Sequence, residues 1–256
     1  MLHVLAQGLK QAFRGRTLLL TLLVLAAAGV MVRLGFWQLS RLEQKRSHNA
    51  RVLAQVQAPP LDINASLPEE DPASYRYRRG VARGRYDPEG QIFLRNRFFQ
   101  GSPGYRVLTP LLLEGHPQVA LMVDRGWVPQ PDPQAYAPPA GVVVKVEGYL
   151  LPGEERNPRL TVPTPSPDQR VWYWAELQVL DAQRPYRVLP VYLVATPPEG
   201  AAPDLEPPIQ EPLRLQLSEG PHLGYAVQWF LFSVGVPLVY VYQLGKRSRK
   251  PSAPVS

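Results

Sequence analysis

Cysteine is absent from the 256-residue sequence, and methionine and histidine are scarce. Without cysteine, the chain has neither a disulfide framework nor a thiolate metal site. The three methionines and four histidines do not suggest a soft-ligand copper site, because the histidines lie far apart in the sequence. We therefore expect no copper or zinc site. The histidines are His3, His48, His116 and His222.

Catalytic motifs are missing as well. The sequence contains no HExxH, GxSxG or GxxxxGK pattern, so the common metalloprotease, hydrolase and P-loop chemistries have no candidate residues. We therefore expect a protein that is not an enzyme.

Positive charge is abundant, with 28 Lys and Arg against 21 Asp and Glu, a net charge of +7 and a pI near 9.7. Such a balance sometimes indicates nucleic-acid binding. Here the basic residues cluster beside apolar segments and in the region between them. We therefore expect anionic lipid head groups or acidic protein surfaces as partners, and no nucleic acid.

Two long apolar segments lie near the ends of the chain. The first, LLLTLLVLAAAGVMV at residues 18–32, carries no charge and predicts a membrane helix over residues 17–39. The second, residues 223–244, is also uncharged and exceeds the roughly 20 residues that a spanning helix needs. It contains Pro237, which membrane helices tolerate. The sequence therefore predicts two transmembrane helices.

The first segment has an alternative interpretation as a cleaved signal peptide. Lys10, Arg14 and Arg16 precede it, and it contains alanines at residues 26–28. The apolar run continues to Phe36, which is longer than a typical signal core. An uncleaved anchor fits this length better, and cleavage stays open at this point.

Basic residues after the second segment predict the orientation. Lys246, Arg247, Arg249 and Lys250 follow it, and basic residues prefer the cytoplasmic side. Both termini are then cytoplasmic. The expected order is a cytoplasmic N-terminus (1–16), helix one (17–39), an extracytoplasmic β-rich domain (40–221), helix two (222–244) and a basic cytoplasmic tail (245–256).

The region between the anchors predicts a mainly antiparallel β domain, so the fold class is membrane α+β. The first helix is expected to continue out of the bilayer and to stop before Pro59. Residues 171–183 read as a short strand followed by a short helix. Strands are predicted at 75–85, 91–98, 105–113, 119–128, 142–151 and 188–194, separated by Gly and Pro. A curled sheet or small barrel with one short helix is the simplest outcome.

One stripe of residues opens the second membrane helix. Tyr225, Ala226 and Trp229 follow His222 at helical spacing and share a face with it. An aromatic belt at the membrane interface is one explanation. The other is a haem site in which His222 is an axial iron ligand. The residues alone leave both open.

Arginines are concentrated in the first three predicted strands. Such an array can pair with haem propionates or lipid phosphates through bidentate hydrogen bonds, or simply form a solvated surface. The arginines are Arg76, Arg78, Arg79, Arg83, Arg85, Arg95, Arg97 and Arg106.

Four motifs in order resemble the surfeit locus protein one family. They are GFWQLSRLEQK at 35–45, RNRFFQGSPGYRVLTPL at 95–111, VDRGWVP at 123–129, and a His-Leu-x-Tyr-Ala-x-x-Trp motif carried by His222, Leu223, Tyr225, Ala226 and Trp229. The resemblance covers nearly the whole chain. One departure is Glu176, where the family leads us to expect Asp.

The resemblance implies a biogenesis factor for cytochrome c oxidase. It implies assistance with haem a insertion or retention in subunit I, a chaperone-like role without turnover. Expected partners are subunit I or its assembly intermediates, the lipid bilayer and the haem a synthesis machinery. Because the first anchor begins at about Thr17, little room is left for a transit peptide, and a bacterial plasma membrane is expected.

The hypothesis for the site places a transient haem a at the outer ends of the two helices. The expected haem-binding residues are His222, Tyr225, Trp229, Trp37, Arg41, Lys45, Arg95 and Arg97. Structural roles are expected for Gly101, Pro103, Gly104, Tyr105, Arg125, Gly126 and Trp127. The alternative is a membrane scaffold without cofactor that stabilises an immature oxidase subunit by helix packing.

Overall fold

A computed structural model describes residues 1–68, 71–139, 141–157, 159, 162–198, 200 and 205–247. The predicted basic tail is therefore described only to Arg247, and the rest of it lies outside the described residues. The chain divides into a helical unit, Met1–Ala50 with Gln216–Ser256, and a sheet unit, Arg51–Leu215. Residues 40–50 and 216–221, predicted within the β domain, thus belong to the helical unit.

The secondary structure agrees with the predicted class. The α-helices are α1 (Leu2–Ala12), α2 (Arg16–Gln57), α3 (Leu177–Gln183) and α4 (His222–Arg247). The strands are β1 (Leu61–Asp62), β2 (Arg79–Tyr86), β3 (Ile92–Phe99), β4 (Ser102–Leu113), β5 (His116–Val128), β6 (Val143–Pro152), β7 (Val171–Trp172) and β8 (Arg187–Ala195). Short 3-10 turns lie at Pro72–Tyr75 and Pro88–Gly90.

Helices α2 and α4 are long and apolar enough to cross a membrane. Only 11% of the most apolar stretch in the first and 6% in the second is buried, so neither is the core helix of a soluble protein. Helix α2 continues well past the apolar segment and ends at Gln57, as the two following prolines predicted. The described part of the chain thus has two candidate membrane spans, as a membrane protein would.

Each of α2 and α4 carries a stripe of buried residues. On α2, Thr21, Gly35 and Leu42 are buried, and on α4, Ala226, Ser233 and Leu244 are buried. Within each helix these positions are separated by sums of three- and four-residue steps, which places them on one face. Thr21 Oγ1 lies 2.8 Å from the Tyr240 hydroxyl. Side chains of the first apolar segment thus contact those of the second.

Helix α1 is a feature that the sequence analysis did not predict. It packs on the end of α4 through two glycines, Gly8 and Gly245. A Cβ atom at Gly8 would collide with the carbonyl oxygen of Val241, and one at Gly245 with that of Val4. Small residues allow membrane helices to approach this closely.

Within the described residues, the sheet unit holds eight strands in the order β1-β2-β6-β8-β5-β4-β3-β7. Strand β2 also pairs with the end of β4, so the sheet curls back on itself. The strand predicted to begin at residue 75 begins at Arg79, because the preceding residues form the 3-10 turn Pro72–Tyr75. The predicted curled sheet and its short helix are confirmed.

Two apolar clusters cover opposite faces of the sheet. Strand β5 supplies both, with Leu121 and Val123 in one cluster and Met122 in the other. The second cluster also contains Trp172 and residues of α3. A strand covered on both faces has consecutive apolar residues rather than alternating ones, which explains the run VALMV.

A buried arginine, Arg106, pairs with carboxylates of the sheet and of the segment after β8. Arg106 of β4 donates to Asp124 of β5 at 2.9 and 3.0 Å and lies 3.5 Å from Glu211. Burial alone would lower the pKa of Arg106, but the carboxylates of Asp124 and Glu211 raise it above its ordinary value. Backbone hydrogen bonds of 2.8 Å between Trp127 and Ile209 add a second tie. Arg106 thus belongs to a buried cluster and not to a solvated arginine surface.

We predict that Asp124→Asn destabilises the protein by about 3 kcal/mol, because it leaves the buried guanidinium of Arg106 without its main partner. Urea unfolding of the full-length protein in detergent, followed by tryptophan fluorescence, measures this loss. The control is Glu147→Gln, which breaks a half-exposed ion pair with Lys145 and should cost less than about 1 kcal/mol. Equal losses in the two variants would contradict the prediction.

Candidate functional site

His222 is the first residue of α4, and its imidazole contacts α2. The Nδ1 atom lies 2.7 Å from Oε1 of Gln38. Both side chains are only partly exposed. The predicted His222 stripe therefore meets the predicted 35–45 motif directly, at one end of the helix pair.

The turn before α4 is also bound to α2. Arg46 forms a bidentate ion pair with Glu219 at 3.0 Å, and Asn49 donates to the carbonyl oxygen of Leu217 at 2.7 Å. Arg46 and Asn49 follow Gln38 on the same side of α2 at helical spacing. These contacts hold the chain on both sides of the point at which α4 begins.

Gly220 lies beside the imidazole ring. Its φ of +73° is in the left-handed region, which glycine adopts readily. A Cβ atom there would lie 3.4 Å from Cδ2 and 3.5 Å from Nε2 of His222. A larger side chain at this position would therefore crowd the Nε2 edge of the ring.

The glycine of the 35–45 motif makes room for a phenylalanine of α4. A Cβ atom at Gly35 would lie 2.6 Å from the ring of Phe230. The same ring meets Phe36 edge to face, with 5.3 Å between centroids. Gly35 is thus required for the close packing of Phe230 one turn from Gln38.

The helical turns that carry His222 and Gln38 also carry exposed aromatic and basic side chains. Trp37 is 51% exposed, and the guanidinium of Arg41 lies 5.9 Å from its ring centroid. Arg41 also donates to Gln44, and Lys45 is exposed. Tyr225 is half-exposed, and Trp229 meets Phe232 edge to face at 6.4 Å. By helical spacing these two residues lie on the flank of the stripe that faces α2 and not at its centre.

The two arginines of β3 that were predicted to meet propionates have partners inside the sheet unit. Arg95 lies over the ring of Tyr173 at 4.8 Å and donates to its hydroxyl. Arg97 binds both carboxylate oxygens of Glu154 at 2.7 and 2.9 Å. Their pairing with haem stays a prediction.

The β3–β4 hairpin contains four of the residues predicted to have structural roles. Gly101 has φ +84°, and a Cβ atom at Gly104 would lie 2.6 Å from the ring of Trp127. Pro103 and Tyr105 lie in the β4 ladder, opposite Phe98 and Arg95 of β3. These positions shape the hairpin.

Arg125 and Gly126 occupy tightly packed positions in β5. Arg125 donates to the carbonyl oxygen of Tyr136 at 2.7 Å and lies over the ring of Tyr86. Burial lowers the pKa of Arg125 and raises the pKa of Tyr86 to about 12. Gly126 has φ +136°, and a Cβ atom there would collide with the backbone of Ile209.

Glu176, the departure from the expected Asp, forms an ion pair with Arg156. Its carboxylate accepts from the guanidinium at 3.1 and 3.4 Å and is largely buried. Among the described residues, no group of three or more His, Asp and Glu side chains is placed to hold a metal ion.

The sequence signature of the SURF1 family, named from the surfeit locus, matches residues 25–234. This range includes both halves of the site, Gln38 and His222. The chain belongs to the SURF1 family. The resemblance seen in the sequence motifs is therefore confirmed over most of the chain.

Relatives within the SURF1 family are similar over nearly their whole length. A SURF1-like protein of Monosiga brevicollis is 28% identical, covering 86% of this chain and 85% of the relative. An uncharacterized SURF1-like protein of Mycobacterium tuberculosis is 26% identical, covering 85% and 81%. A SURF1-like protein of Rickettsia felis is 25% identical, covering 86% and 94%.

Sequence reasoning missed two residues of this site, Gln38 and Gly220. A signal for Gln38 was present, since it is a polar residue in the apolar stretch GFWQL and lies on the helical stripe of Gly35 and Leu42. Gly220 had no comparable signal, because its importance depends on the position of the His222 ring.

We predict that Gly35→Ile separates α2 from α4 near the site, because the added side chain overlaps the ring of Phe230. The chain has no cysteine, so Gln38→Cys with His222→Cys can be joined by a short bis-maleimide, which spans the gap left by the two removed side chains. Overpacking of about 1–3 kcal/mol should slow this cross-linking roughly tenfold.

The control for this experiment is Gly29→Ile on the same helix. Gly29 is exposed, and a Cβ atom there meets nothing within 4 Å. Cross-linking should proceed in this variant as in the parent. Equal slowing by both isoleucines would show that Gly35 has no specific role in the helix contact.

Proposed function

We propose that this SURF1 family member is a membrane-bound assembly factor for haem-copper cytochrome c oxidase and is not an enzyme. In this proposal it assists haem a insertion or retention in subunit I. The supporting observation is the imidazole of His222 at the start of α4, which is hydrogen-bonded to Gln38, the residue that follows the exposed Trp37.

The residues around His222 fit the chemistry of haem. Imidazole nitrogen is a common axial ligand of haem iron. Among the described residues, none hydrogen-bonds to Nε2 of His222, whereas Nδ1 is bound. The rings of Trp37 and Tyr225 offer apolar surface for a flat macrocycle, and Arg41 offers a cation for a propionate carboxylate. When bound, haem would supply an iron atom with a site for an imidazole ligand.

The proposed location is a bacterial plasma membrane with both termini in the cytoplasm. Lys246 and Arg247 follow the apolar part of α4, and this end is expected on the cytoplasmic side. Lys10 lies in the last turn of α1, which packs on the same end of α4. His222, at the opposite end of α4, then lies at the outer surface.

Subunit I or one of its assembly intermediates is the proposed partner, with the haem a synthesis machinery as the donor. The outward faces of the helices carry exposed apolar side chains, including Leu231, Phe232 and Val234. Such faces suit contact with lipid or with another membrane helix. This same surface favours the second candidate function, a scaffold without cofactor.

The test is haem retention by the purified full-length protein after co-expression with a haem a synthase. Wild type should show a haem spectrum, and His222→Ala should lose most of it, because the imidazole of His222 is the proposed iron ligand. His48→Ala is the control, since His48 is exposed on α2 and lies outside the site.

Two results would overturn the haem proposal. One is a colourless wild type, together with pull-down of immature subunit I, which would favour the scaffold. The other is a His222→Ala variant with the haem content and spectrum of wild type, which would place the haem elsewhere.

A further inference from the structure

We propose that Gln38 is a positioning residue that sets the tautomer and orientation of the His222 imidazole, so that Nε2 is the nitrogen available to a ligand. This inference rests on the proposed function of His222. It adds a role for Gln38, the residue that is hydrogen-bonded to the imidazole. It makes α2 part of the ligand site through one amide oxygen.

The hydrogen bond between the two side chains determines which ring nitrogen of His222 holds the proton. Oε1 of Gln38 is a carbonyl oxygen, which only accepts, so Nδ1 of His222 donates. A neutral imidazole carries one ring proton. With that proton on Nδ1, the lone pair on Nε2 is free to bind a metal ion. Ligating histidines commonly donate their second nitrogen to such an acceptor, which fixes the ring and increases its basicity.

The position of Gln38 is itself fixed by its helix. Gly35, one turn earlier, contacts the ring of Phe230, and Leu42, one turn later, is buried. Arg46 and Asn49 hold the turn that leads into His222. Both partners of the hydrogen bond therefore lie on backbone that is held in place independently of the bond.

The opposite edge of the imidazole is left open by Gly220. This residue lies beside Cδ2 and Nε2 without a side chain, and a Cβ atom there would already be in van der Waals contact with both atoms. Nδ1 faces Gln38 while Nε2 faces this glycine. The two edges of the ring thus have different surroundings, one with an acceptor and one without a described hydrogen-bond partner.

A simpler role for Gln38 is to join the helices. Interhelical hydrogen bonds in membranes average about 0.6 kcal/mol, so that role predicts a small stability loss and no effect on ligand binding beyond it. The positioning role predicts a change in the imidazole tautomer and in haem affinity at unchanged helix packing. Measurements of tautomer and affinity separate the two.

The experiment compares Gln38→Leu with Gln38→Glu in the full-length protein. Leucine removes the acceptor, whereas glutamate keeps a carboxyl oxygen at the same distance from the backbone. Haem affinity should fall roughly 10- to 100-fold in Gln38→Leu and should be restored in Gln38→Glu. Gln57→Leu, the same change at an exposed position at the end of α2, should bind as wild type.

The second readout uses protein without haem. Nitrogen-15 NMR of the ring of His222 should show Nδ1 protonated in wild type and in Gln38→Glu, and a mixture of tautomers in Gln38→Leu. A wild-type imidazole protonated on Nε2 would overturn the inference, because its Nε2 lone pair would then be unavailable.

The outcomes distinguish this inference from the proposed function. If wild type binds haem, His222→Ala does not, and Gln38→Leu binds as tightly as wild type, the inference about Gln38 fails alone. If wild type binds no haem, or binds it equally after His222→Ala, the proposed function fails and the ligand role of Gln38 fails with it.

Discussion

Contact between the side chains of α2 and α4 is the constraint on which the site depends. In a bilayer, apolar side chains gain little from contact with each other, so helices associate through small residues, shape and interhelical hydrogen bonds. Gly35 supplies the space for Phe230, and Thr21 and Tyr240 supply a polar contact farther along. The His222–Gln38 hydrogen bond exists because this packing brings the two helices together at their ends.

The segment that leads into α4 is bound at several points in each unit. In the sheet unit, Ile209 pairs with Trp127 and Glu211 approaches the buried Arg106. In the helical unit, Leu217 and Glu219 are held by α2. The described part of this segment, residues 205–221, is therefore bonded within each unit. In the helical unit, the bonds of Leu217 and Glu219 limit the positions that the first turn of α4, and with it His222, can adopt.

Much of the fold was predictable from local pattern. Uncharged apolar runs predicted α2 and α4, and short apolar runs separated by Gly and Pro predicted the main strands, since both patterns follow directly from burial. Helix α1 was not predicted, because its packing depends on Gly8 meeting the distant end of α4. Likewise, Arg106 looked like part of a basic surface, and only the sheet register shows that Asp124 lies beside it.

At the site, the sequence motifs predicted which residues matter but not how they meet. His222 and the 35–45 motif were expected together, with Tyr225 and Trp229 on the same face as His222, but these two residues lie on the flank of the stripe that faces α2. The contact instead uses Gln38, a neutral amide. A carboxylate at this position would make His222 a stronger ligand but would add a charge near the membrane, which is costly unless paired. An amide fixes the same ring nitrogen without a charge and leaves the imidazole a weaker ligand. In the proposed function the haem is passed on, and a weaker ligand suits that role because tight binding would oppose release to the next acceptor.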